Sequence, residues 1–143
     1  MSELEKKNVI VKLTGFHETS GDEEICTSSE GKMVFREPYY YVSYKEKLDE
    51  ESEELTDTLL KIKEDEVIVT RKGNAKSTLT FKKGSTHKSD YVTEMGVFEI
   101  EIITDDLYCE ISEKMIKTEV SYRIGLNGTR PTESRMNMEI NVI

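Results

Sequence analysis

The chain has 143 residues, 36 % hydrophobic and 34 % charged, with 29 acids against 20 bases and a net charge of −9. This length suits a single domain spanning residues 1–143, since two separate cores would each bury too little surface. The acidic excess argues against nucleic acid or an anionic membrane as partner, because both reward clustered Lys and Arg; its plain consequence is solubility.

Along the chain the dominant period is two. Met1 to Lys7 carries no apolar h-region or cleavage site, which points to the cytoplasm, and no run approaches the length of a bilayer span. Val9, Val11 and Leu13 then alternate with Ile10, Lys12 and Thr14. His17 follows that inward register near a strand end, where a rim position suits it better than a functional one. Ser20-Gly21-Asp22 reads as a turn, and Pro38 opens a strand from Tyr39 to Lys45. In that strand Tyr39 and Tyr41 point one way, Tyr40 and Tyr44 the other. The four therefore form no shared platform for stacking bases, and packing is their expected role.

The acids Glu50, Glu51, Glu53 and Glu54 read as a loop leading into a strand. Leu55, Leu59 and Ile62 would also fit a short helix, but Thr56 and Thr58 are β-branched, and Leu60 and Ile62 keep period two. Val67 and Val69 follow, with Arg71 in the same register, and Lys72-Gly73-Asn74 turns the chain. Leu79-Thr80-Phe81 is the next strand, closed by Lys83-Gly84-Ser85. Phe98, Ile100 and Ile102 alternate with Glu99 and Glu101, and Leu107, Cys109 and Ile111 with Tyr108 and Glu110. Asp105-Asp106 between these two runs reads as a tight hairpin loop. Val120, Tyr122, Ile124 and Leu126 lead to Asn127-Gly128, a strong hairpin signal because both residues tolerate positive φ. Pro131 predicts an irregular start to the last strand, before Met136, Met138, Ile140 and Val142.

About eight to ten short strands with short connections give an all-β antiparallel meander. Even spacing without a long Greek-key return favours an up-and-down barrel, whose closure removes exposed edges. Chemistry is sparse in this sequence. It shows no zinc or calcium motif, no nucleophile elbow and no phosphate-cradling glycine loop. Cys26 and Cys109 lack a CxxC or histidine partner and read as two reduced, packed thiols. We therefore assign no catalytic residue, metal or cofactor. If Val67 and Val69 face inward, Arg71 reaches the barrel interior or its mouth, where it needs an anion from the protein or a ligand. Phe81, Phe98 and Tyr122 would line the same space.

From Thr58 onward the succession Thr58-Leu59-Leu60-Lys61-Ile62, Val67-Ile68-Val69-Thr70-Arg71-Lys72-Gly73, Leu79-Thr80-Phe81, Tyr91-Val92-Thr93-Glu94-Met95-Gly96 and Tyr122-Arg123-Ile124-Gly125-Leu126-Asn127-Gly128 resembles the YwiB-like family of small bacterial proteins. The resemblance implies a calycin-like (lipocalin-like) barrel in a bacterial cytoplasm, and no catalytic residues. Two functions follow as expectations. The first is non-catalytic binding of a small apolar or anionic ligand in or at the mouth of the barrel. The alternative is a solidly packed barrel that binds another protein, a second copy of itself included, through its exposed tyrosines and acidic segment.

Overall fold

A computed structural model describes residues 6–17, 24–46 and 55–143. They form ten strands: β1 (Lys7–His17), β2 (Glu24–Arg36), β3 (Tyr39–Glu46), β4 (Thr56–Lys63), β5 (Glu66–Lys72), β6 (Lys76–Lys82), β7 (Thr86–Thr93), β8 (Gly96–Ile111), β9 (Met115–Leu126) and β10 (Thr132–Val142). Strands adjacent in sequence pair antiparallel, and β1 also pairs with β10, so the sheet closes into a barrel. Closure pairs the strands that would otherwise be sheet edges. The period-two residues decide which face turns in: Val9, Val42, Leu60, Ile62, Val67 and Phe81 are all fully buried. The centre of the barrel is therefore filled by side chains.

Most turns fall where the sequence places them. Asn127 and Gly128 adopt φ of 50° and 74°, and the Thr129 N–H donates to the Leu126 carbonyl at 3.0 Å. Thr56–Lys63 is strand, not helix. The proposed turn at Ser20–Asp22 and the acids of 50–54 lie outside the described residues.

Two expectations are corrected. Asp105-Asp106 does not close a hairpin; it lies inside the continuous strand β8. Thr104 pairs with Tyr122 and Asp106 with Ser121, which leaves Asp105 as the extra residue of a β-bulge. The extra residue switches the inward set from Phe98, Ile100, Ile102 and Thr104 to Leu107, Cys109 and Ile111. In sequence, two alternating runs out of phase look the same whether a turn or a bulge lies between them. The second correction concerns β10, which begins at Thr132 and keeps an unbroken register with β9 from Thr132↔Ile124 to Asn141↔Met115. Pro131 stays just ahead of the ladder, where its missing N–H costs nothing.

The bulge is also held from outside. Arg123 Nε and Nη2 donate to the Asp105 carboxylate at 3.0 and 2.8 Å, and the Leu107 N–H donates to Asp106 Oδ1 at 3.0 Å. Deleting Asp105 would leave Thr104, Asp106 and Leu107 opposite Tyr122, Ser121 and Val120, a regular ladder with every inward side chain still inward. We expect the deletion variant to unfold cooperatively in urea with little loss of stability, because the ion pair it removes is exposed. Loss of the cooperative transition would mean that the added twist of the bulge is itself required.

Candidate functional site

Arg71 is carried by β5 two residues after the buried Val69, so the pleat turns it inward. It sits opposite Thr58 of β4 and Ser77 of β6, and Thr58 sits opposite Tyr44 of β3. Direct cross-strand partners share a face. The inner wall therefore carries a polar row, Tyr44–Thr58–Arg71–Ser77, in which Tyr44 and Thr58 are buried. Beside this row, beneath the β5–β6 turn, lies a cavity of about 170 Å³ lined by Arg71, Ala75, Ser77, Leu79, Tyr91, Ile100 and Ile124.

Phe81 and Tyr122 lie deeper. Their rings meet edge to face, with centroids 4.9 Å apart and planes at 69°. Burial pushes the Tyr122 phenol up from its ordinary pKa, against the opposing effects of a hydrogen bond with Ser134 and the charge of Arg71. Burial thus favours the neutral phenol. Phe98 stands apart at the half-buried rim, with its ring centroid 6.4 Å from that of Tyr91. The four residues singled out in the sequence share the inner face. Of the four, only Arg71 lines the cavity; Phe81 and Tyr122 pair with each other in the core and Phe98 stands beside Tyr91, so the expected shared lining is not found. Sequence reasoning missed Tyr44, Thr58, Ser77 and Tyr91, because finding them requires the strand register.

The wall beside the cavity is incompletely zipped. The β6–β7 ladder consists of the single pair Lys76↔Val92, whereas the neighbouring ladders run through seven and eight pairs. The seam is pinned at its other end by the turn in which the Ser85 N–H donates to the Lys82 carbonyl at 3.0 Å. Between these points, Ser89 Oγ donates to the Thr78 carbonyl at 2.6 Å. On the inner face near this seam, His87 Nε2 and Thr104 Oγ1 are buried without a hydrogen-bond partner among the described residues.

Other features carry less chemistry. A hollow of about 980 Å³ includes Asn8, Lys32, Ser43, Lys45, Asp57 and Lys72. These side chains are exposed; Lys32 donates to Asn8, and Lys45 lies 3.9 Å from Asp57, while the buried Val9, Tyr44 and Thr58 form the floor of the same hollow. Tyr39 and Tyr41 flank Lys61 at 5.2 and 5.5 Å, while Tyr44 faces the core, as the strand alternation requires. The Tyr39 hydroxyl donates to Glu66, which pushes its pKa up to about 12.

Both cysteines are free thiols, but Cys26 is exposed, contrary to the expectation of two packed thiols. Cys109 is half-buried, and burial pushes its thiol up. The His17 side chain lies outside the described residues. Among the described residues no group of three or more His, Cys, Asp or Glu side chains could hold a metal, and no helix is long and apolar enough to cross a membrane.

The described residues define a closed ten-stranded antiparallel barrel with a small cavity beneath its β5–β6 turn. Residues 11–140 match the family model described as Domain of unknown function (DUF1934), and the chain belongs to that family. The YwiB-like resemblance read from the sequence holds in the fold: the crystal structure of the ywiB protein from Bacillus subtilis is 20% identical. The alignment covers 98% of this chain and 95% of that one, with a TM-score of 0.85. No similar curated protein was found.

Proposed function

We propose that the chain is a non-catalytic binding barrel of the calycin-like kind, working in a bacterial cytoplasm and holding a small, partly apolar molecule in the cavity beneath the β5–β6 turn. The observation that carries this reading is an arginine turned inward among Leu79, Tyr91, Ile100 and Ile124. A guanidinium has several N–H donors, so Arg71 can keep a partner within the chain and still offer an edge to a bound group. The filled centre limits the guest, because the cavity of about 170 Å³ is well below the roughly 300–1,000 Å³ of a typical ligand pocket. A fatty acid does not fit this space. The loosely paired β6–β7 seam borders the cavity through Ser77, Leu79 and Tyr91, and serves in this reading as the access route.

A second reading, a protein-binding module that pairs with another copy, draws on the filled core and on the β7–β8 turn, where Met95 is 91% and Val97 62% exposed. One experiment separates the two. The mass of the purified protein is measured under native and denaturing conditions, before and after incubation with a small-molecule cell extract. The binding barrel is expected to gain a small mass that denaturation removes. A protein that stays bare throughout would count against it, and a bare dimer would favour the second reading.

A further inference from the structure

Resting on the binding-barrel reading, we infer that the guest is a short monocarboxylate with an apolar body about the size of a six-carbon ring. Three observations converge on this class. Size comes first: an apolar cavity of about 150 Å³ holds one benzene, and the cavity under the β5–β6 turn measures about 170 Å³. Long-chain acids and nucleotides exceed it.

Charge comes second. Arg71 is the one charged side chain among the described residues that line the cavity, and its charge also reaches the Tyr122 phenol. A single guanidinium in apolar surroundings matches a monoanion. A phosphate dianion would leave one charge unmatched by the cavity lining. The planar fork of the guanidinium fits the two oxygens of a carboxylate. It also has several N–H donors, so Arg71 can keep a partner within the chain and still offer an edge to a ligand.

Polarity of the walls comes third. Ser77 sits beside Arg71 in register and lines the cavity with it, which puts a hydroxyl on the side where a carboxylate would sit. Leu79, Tyr91, Ile100 and Ile124 form the rest of the lining and receive the apolar body. The ligand thus lies with its carboxylate on the β5–β6 wall and its body toward β7, β8 and β9.

The test uses benzoate, its neutral isostere benzamide, and decanoate, titrated into the isotopically labelled full chain and followed by backbone amide shifts. Benzoate is expected to perturb residues around Arg71, Leu79, Tyr91 and Ile124. Benzamide and decanoate should bind about tenfold or more weakly, the ratio expected for a charge-assisted contact. Arg71→Met should erase the preference for benzoate over benzamide. Arg71→Lys, which keeps the charge but not the fork, should retain part of it and guards against a folding defect in the first variant. Equal binding of benzoate and benzamide in the cavity would overturn the carboxylate assignment and leave the binding barrel standing. Tighter binding of decanoate would overturn the size limit. Failure of every probe to move the cavity residues, with no small mass retained in the native measurement, would remove the binding barrel as well.

Discussion

Phe81→Ala is expected to cost about 3–5 kcal/mol of stability in urea unfolding, the usual range for a fully buried phenylalanine truncated to alanine. Phe81 has no exposed surface, and it braces the ring of Tyr122 edge to face at 4.9 Å. Its removal would take away that contact and open space beside the cavity. Phe98→Ala is the comparison, because Phe98 is half-buried at the rim and should lose clearly less, in proportion to the smaller apolar area it hides. The same Phe81 variant bears on function. If the filled centre limits guest size, the shortened side chain should let decanoate bind where the parent chain rejects it. A large stability loss with an unchanged size limit would separate Phe81 from the site and leave it a core residue only.

The fold was legible because its signal is local and redundant. Each strand carries its own alternation, so Val9 to Leu13 or Met136 to Val142 can be read without knowing the partner strand, whereas closure rests on the pairing of β1 with β10, which no single strand encodes. The bulge in β8 was misread because its signature, a phase change across Asp105-Asp106, is equally that of a hairpin. Only pairing with β9 tells them apart: Leu107 opposite Val120 extends one ladder and folds none back. The candidate site was half legible. The inward turn of Arg71 followed from its distance to Val67 and Val69, a relation within one strand. Thr58, Ser77 and Tyr91 join it through register between strands, which no single segment encodes. The open β6–β7 seam was invisible for a deeper reason. Lys76–Lys82 and Thr86–Thr93 have ordinary strand patterns, and whether their backbones meet depends on how the whole barrel closes.

Gly31→Val is the second variant expected to be severely destabilised, and Gly15→Ala is its counterpart. Gly31 is the residue of β2 where pairing with β3 begins: it faces Val9 on one side and Tyr44 on the other. A Cβ added there would lie 2.6 Å from the Ser43 carbonyl oxygen and 3.0 Å from the Tyr44 Cβ. Neither atom is the flexible end of a side chain, so the strands must separate. Even Gly31→Ala should cost about 1–3 kcal/mol, as overpacking does, and the branched valine more. At Gly15 an added Cβ meets nothing within 4 Å. There alanine is expected to gain about 0.4–1 kcal/mol, chiefly by restricting the unfolded chain. Urea unfolding of the variants measures the contrast directly. The Gly31 position also joins the row that runs through Tyr44 and Thr58 to Arg71. Displacing Tyr44 should therefore disturb the Arg71 wall, and Gly31→Ala should weaken benzoate while the protein remains folded. If stability falls and benzoate binding does not change, the row is a packing feature and Arg71 is positioned by β5 and β6 alone.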